Sequence, residues 1–380
     1  MKLCVGIEEM LVVRRWSATA GGFAVAAVAS LAMTTVLAMA APLAKPVVTV
    51  DSSRALWNKA DYKTVQAAID AAPAQGSVIR IAPGRYYEKL SVAKDGIELI
   101  GTGSAPDKVV LTYDDGARFV GGTGKSGSVT VSGDDFRAEN LTMQNDFERT
   151  HDRTEQGSQA VALMMTGDRA VLRHVRILGY QDTLYASSKL CHAPEDAAAG
   201  KPCHASRQLY SDCYIEGHVD FIFGDAKAVF DHCELHAVAN PEAMLTAQSR
   251  LYPAEDSGYL FLHCTITAAK GVGRLVLGRP WRGYSTVYFL DSTLKGAAID
   301  PAGWQEWSGK LATSSYGEYD TVHEDGTAED TSRRIAPSRQ LTQAEVRQLT
   351  AEAWLAGADG WNPESVHGAE LAKTTHKVSR

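Results

Sequence analysis

The sequence predicts an all-β chain wound as a parallel β-helix, a solenoid of stacked coils. A short N-terminal capping helix and a C-terminal helical and loop segment complete the expected architecture. Three observations carry this reading. First, one short strand pattern recurs as "AENLTM", "LRHVRI", "YSDCYI", "FDHCEL", "FLHCTI" and "FLDSTL". Each has a polar or imidazole residue, a small or apolar one, a polar one, then Leu, Ile or Met. Second, the small or apolar positions are Leu141, Val175, Cys213, Cys233, Cys264 and Ser292, separated by 20 to 38 residues. One recurring strand at irregular spacing implies coils with variable excursions that bury their faces by stacking. Third, hairpin-turn dipeptides are scarce between these segments, which disfavours the main rival, a β-sandwich.

The elements follow in order. The first forty residues stand apart: "VVRRW" supplies positive charge and "GGFAVAAVASLAMTTVLAMA" (Gly21 to Ala40) is long, apolar and Ala-rich. "AMA" followed by "AP" resembles a signal-peptidase site after Ala40, with an uncleaved anchor as the alternative. The Arg14-Arg15 pair suggests twin-arginine export. Glu8 and Glu9 precede the basic region, so translation from Met10 is an alternative to Met1. Cys4 precedes the apolar stretch and is not a lipoprotein anchor. Residues 1–40 are therefore read as a signal peptide, 41–366 as the β-helix and 367–380 as a flexible tail, giving a secreted or periplasmic protein. "DYKTVQAAIDAAP" reads as an amphipathic helix, with Val65, Ala68, Ile69 and Ala72 on one face and Pro73 ending it. Strand-like runs with Gly-rich turns come next, and no second long helical pattern appears until "LTQAEVRQLTAEAWL".

The 380 residues hold 45% hydrophobic and 22% charged residues, with a formal net charge of −7. This is ordinary globular composition. It argues against a nucleic-acid binder, which carries a basic patch, and against long-range attraction of a strongly anionic polymer. No oligomerisation signal is present, and a monomer is expected. Beyond Cys4 the cysteines are Cys191, Cys203, Cys213, Cys233 and Cys264. Export permits disulfides. Cys191 and Cys203 bracket a polar loop that a local disulfide would close. Cys213, Cys233 and Cys264 either stack as small apolar residues on an inner ladder, or Cys213 pairs with Cys233 across adjacent coils. Cys191, His192, Cys203 and His204 lack the usual C-x₂₋₄-C pairing of a zinc site, and no metal or cofactor is expected.

The chemistry-bearing segments are "GSQAVALMM", "GYQDTLYA", "EGHVDFIFGD" and "LGRPWRG". In the third, strand alternation places Val219, Phe221 and Phe223 on one face and His218, Asp220 and Ile222 on the other. Asp220 is thus a carboxylate in an apolar run, where it loses solvation unless something pairs with it. Stacked coils would gather Asp182, Asp220, Gln159, Gln181, Arg279, Tyr185, Phe223 and Trp281 at one place. Singly, each has a structural reading: a turn cap, an Asx turn, a buried ion pair, core. Together they point to acid, base and amide chemistry.

"GYQDTLY", "GHVDFIFG" and "LGRPW" resemble the three signature blocks of the pectinesterase family, and "QAVAL" resembles its upstream Gln segment. The resemblance spans about residues 46 to 365, and the signal segment and cysteine pattern suggest the bacterial type. It implies a right-handed parallel β-helix and hydrolysis of galacturonate methyl esters in pectin, without cofactor. It implies Asp220 as nucleophile, Asp182 as general acid and base, Gln159 and Gln181 as oxyanion donors, and Arg279 as the group holding Asp220. It also implies Trp281 as a sugar contact with Phe223 and Tyr185 beside it, and a Cys213–Cys233 disulfide. Ser128 stands where the family often has Thr, leaving a substrate role there open. The 187–208 segment is longer than usual and is expected to border the cleft.

On this reading Arg279 keeps the Asp220 pKa low by opposite charge while Asp182, in an apolar and negative setting, stays protonated. The rival readings are a β-helix esterase or thioesterase with a non-pectic substrate, a silent polysaccharide-binding β-helix, and a pectin lyase or hydrolase. A lyase would be expected to carry calcium-binding acid clusters, which are not evident.

Overall fold

The strands wind into stacked parallel coils. The computed structural model describes residues 44–53, 59–151, 158–189 and 203–363. The expected signal segment, the tail, Cys191 and His192 lie outside the described residues. Among the described residues, three sheets of eleven, nine and seven strands run along the solenoid. One coil visits each sheet once: Ala170–Arg173, Arg176–Leu178, then Leu184–Ala186. The next repeats it: Arg207–Ser211, Tyr214–Gly217, then Ile222–Gly224. Each strand pairs in parallel with its counterpart.

The recurring sequence pattern is the corner between the first and second sheets. Thr142, Arg176, Tyr214, Glu234, Thr265 and Thr293 are register partners in successive coils. The residues before them, Leu141, Val175, Cys213, Cys233, Cys264 and Ser292, therefore stack inward, and all are buried. One position earlier, Asn140, His174, Asp212, His232, His263 and Asp291 all have φ between 50° and 54°. Asn, Asp and His tolerate the left-handed region better than other non-glycine residues. The polar or imidazole residue that opens each repeat is this backbone bend. Two of its imidazoles, His232 and His263, stack and share Asp231 Oδ1, at 2.8 and 3.1 Å from their Nδ1 atoms.

Inside, Tyr210, Phe230, Phe261 and Phe289 form a column with ring centroids 4.7, 4.5 and 4.3 Å apart. Register produces this column directly, since the same pleat position recurs in each coil. The helix Val65–Ala71 buries Val65, Ala68 and Ile69, is capped by Thr64, and packs on the first coil. The C-terminal helical pattern resolves into two short helices, Gln343–Val346 and Ala351–Leu355, because Thr350 caps a new helix N-terminus. Leu341 and Leu355 bury against Val171, Leu209, Val229, Leu260 and Leu290 on the outer face of the first sheet.

The cysteine pairing requires correction. Cys213 and Cys233 are free and buried. On neighbouring rungs of a parallel stack their Cβ vectors run side by side, whereas a disulfide needs them to converge. Their thiols donate instead to carbonyls, Cys213 to those of Leu172 and Ser211 and Cys233 to those of Tyr210 and Asp231. Cys203 is disulfide-bonded. His204 Nδ1 faces Asp256 Oδ2 at 3.3 Å.

Candidate active site

The site lies on the outer face of the seven-stranded sheet. Met164, Tyr185 and Phe223 are register partners on successive strands. Phe223 continues to Ala247, and Thr246 pairs with Gly278 immediately before Arg279. One outward column thus lays a floor of Met164, Tyr185, Phe223, Ala247 and Arg279. Above it is a cavity of about 550 Å³, bordered also by Gln159, Gln181, Asp182, Asp220, Trp281 and Trp307. It adjoins a second space of about 340 Å³ through Tyr185 and Trp281. A larger cavity of about 680 Å³ lies elsewhere, between Lys189, His204–Arg207 and Ala356–Asp359. Its charged groups are already paired: Arg207 with Asp168 and Asp359, Lys189 with Asp134. Chemistry, rather than size, distinguishes the first.

Asp182 and Asp220 occupy equivalent positions one coil apart, since Leu184 pairs with Ile222. Both are left-handed, with φ of 61° and 52°. This corrects the expected alternation. "HVDFIF" is not one straight strand: the chain turns at Val219–Asp220 and the strand begins at Ile222. Phe221 and Ile222 both enter the core, while Phe223 faces the cleft. The turn tilts Asp220 toward Arg279, whose Nε and Nη2 donate to the two carboxylate oxygens at 2.8 and 2.7 Å. Arg279 in turn lies over the Trp307 ring at 4.2 Å. Asp220 is 6% exposed.

Burial raises the Asp220 pKa above the ordinary carboxylate range, while the two Arg279 hydrogen bonds and its charge pull it back. The expectation that Arg279 makes it low is therefore not met; burial outweighs the guanidinium. Asp182 stands well above the ordinary value, from burial first and then from the Asp220 charge, only partly opposed by Arg279. The asymmetry survives: the clamped acid ionises more readily than its neighbour.

The two amides differ in what fixes them. Ser158 Oγ donates to Gln181 Oε1 at 3.0 Å, leaving the Gln181 NH₂ to donate into the cavity. Gln159 is set by its backbone, whose carbonyl accepts from Ala117 N at 2.8 Å. Tyr185 stacks on Phe223 with centroids 4.3 Å apart, and Trp281 meets Phe223 edge-on at 5.9 Å. The structure thus gathers every expected residue except Ser128. Ser128 is fully buried, its hydroxyl unpartnered inside the wall, with no surface to offer a ligand. Sequence reasoning missed Ser158 and Trp307. Ser158 neighbours Gln159 in "GSQAVALMM", but its aim depends on the adjacent coil. Trp307 arrives from a later loop that nothing near "LGRPW" announces.

An open groove on a parallel β-helix, with an arginine-clamped carboxylate beside one that its surroundings make harder to ionise, is the arrangement of a carboxylic ester hydrolase. Comparison narrows the class. The pectinesterase family profile matches residues 51–358. Pectinesterase 31 of Arabidopsis thaliana is 36% identical over 300 residues, covering 75% of this chain and 86% of the relative. Pectin methylesterase from carrot superposes with a TM-score of 0.70 at 31% identity, covering 84% of this chain and 96% of that one. Pectin methylesterase PemA from Erwinia chrysanthemi gives 0.65 at 26% identity, covering 83% and 98%. The chain belongs to the pectinesterase family and has its right-handed parallel β-helix. These relatives are plant as well as bacterial.

Proposed function

We propose that the protein hydrolyses the methyl esters of galacturonate units in pectin, releasing methanol and leaving free carboxylates. The observation that carries this is the placing of Asp182 and Asp220 at one position on adjacent coils, with Arg279 gripping only Asp220. An Asp220 oxygen adds to the ester carbonyl carbon. The resulting oxyanion takes hydrogen bonds from the Gln159 and Gln181 amides. The C–O bond to the methoxy group breaks as Asp182 gives it a proton, and methanol leaves an acyl anhydride on Asp220. Asp182, now a carboxylate, takes a proton from water, whose oxygen attacks the acyl carbon. The new carboxyl group departs, Asp220 is a carboxylate again and Asp182 is reprotonated. No cofactor enters these steps.

Tyr185, Phe223, Trp281 and Trp307 give the groove faces on which sugar rings can stack. A pectin methylesterase of similar fold is known in complex with a hexasaccharide, which supports a polymer lying along this groove. Monomeric action outside the cytoplasm, after loss of residues 1–40, belongs to the same proposal, as does a Cys191–Cys203 bond.

The test is product chemistry. Purified residues 41–380 should release methanol from highly methylated pectin without forming the ultraviolet-absorbing unsaturated product of a lyase. Hydrolysis of small acyl esters with pectin untouched would refute the substrate.

A further inference from the structure

His218 lies inside the segment that carries Asp220, and the mechanism above does not use it. It is buried, and so is Glu148. Val219 N–H donates to His218 Nδ1 at 2.7 Å, so that nitrogen carries no proton. The ring proton is then on Nε2, which faces Glu148 Oε2 at 3.1 Å. Glu148 Oε1 accepts the backbone N–H of Gln181 at 3.3 Å. His218 N–H donates to Tyr180 O at 2.9 Å, and Asp182 N–H to Val219 O at 3.1 Å. The helix Phe147–Thr150 that holds Glu148 is itself anchored. Asn145, buried, accepts from Phe147 N and donates to the carbonyls of Asp115, Ser126 and Val161.

We propose, resting on the ester-hydrolase reading, that Glu148 and His218 are positioning residues: a buried carboxylate–imidazole bracket that fixes the turn bearing Gln181 and Asp182 against the turn bearing Asp220. Both turns hold left-handed aspartates, a backbone that Asp tolerates, but the aim of their carboxylates toward each other calls for support from outside the turns. The bracket supplies it from a helix outside the coils. Glu148 also adds negative charge near Asp182, reinforcing proton retention there alongside Asp220 and against Arg279. The Tyr180 ring, 6.0 Å from the His218 ring, closes the other side.

The test compares Glu148→Ala, His218→Ala, their double variant and Glu148→Gln on methylated pectin. The alanine variants should lose about 10- to 100-fold in kcat, the scale on which small misplacements act, with KM changed less than about threefold. The double variant should be no worse than the poorer single one, since both break one bracket. Glu148→Gln keeps an acceptor for Gln181 N–H but removes the charge. It should retain most of the turnover while the alkaline limb of kcat/KM moves to lower pH, because Asp182 then loses its proton more easily. Alanine variants that melt earlier yet keep wild-type kcat, or a Glu148→Gln profile that does not move, would overturn the proposal. A folded wild type that leaves pectin untouched would instead overturn the pectin reading of the site.

Discussion

Asp182 and Asp220 stand at the same position on adjacent coils, and the Asp182 backbone N–H donates to the carbonyl of Val219, the residue before Asp220, at 3.1 Å. Stacking two acids is costly, and the protein eases the conflict by clamping one with Arg279 while the other, with its pKa raised, gives up its proton less readily.

That solution has a stability signature. The folded-state pKa of Asp182 is raised above its unfolded value, so the folded protein holds the proton longer and stability falls as pH rises above the ordinary carboxylate range. Asp182→Asn has no proton to lose. Its melting temperature should exceed that of wild type by a few degrees at pH 7, with the difference vanishing near pH 3, while turnover collapses. Equal melting temperatures at pH 7 would contradict the protonation assignment.

Gln181 is aimed by Ser158. Gln181→Ala should lower kcat by about 10²–10³, as loss of one oxyanion donor does elsewhere. Ser158→Ala should cost less, about tenfold, because the amide remains but can rotate. Steady-state kinetics on pectin at constant pH checks both, and KM should hardly move.

Arg279→Lys keeps a charge but loses the bidentate grip and the stacking on Trp307. With less to offset burial, the Asp220 pKa rises. The acidic limb of the pH–rate profile should therefore shift to higher pH. Arg279→Ala leaves a buried acid unpaired and should also destabilise the fold by about 3 kcal/mol, read from urea denaturation.

Cys213, Cys233 and Cys264 are free and buried. Burial pushes the Cys213 and Cys233 thiols well above their usual range. None of the three should react with a thiol reagent in the native protein, and all three should react on unfolding without reductant. A shortfall after unfolding would revive the Cys213–Cys233 bond.

Much of the fold is legible in the sequence because coil corners restrict residue type. Asn140, His174, Asp212, His232, His263 and Asp291 mark the left-handed bend by residue type alone. Asp182, Asp220, Gln181 and Arg279 are legible because each sits in a distinctive block at a coil edge. Other features depend on relations between coils. Alternation misplaces Asp220, since a strand pattern assumes no turn inside it. Ser128 turns into the wall, and stacked cysteines run side by side instead of converging. Glu148 reaches Gln181 and His218 from a separate short helix, and no local pattern encodes that meeting.

The most direct test of the account is methanol release from highly methylated pectin by wild type and by Asp220→Asn, with folding of both verified by melting. Asparagine tolerates the left-handed backbone at this position, so the variant should fold. Wild type should release methanol steadily, and the variant should lose on the order of 10⁴-fold or more, as for removal of a nucleophile. Near-wild-type release from folded Asp220→Asn would contradict that role.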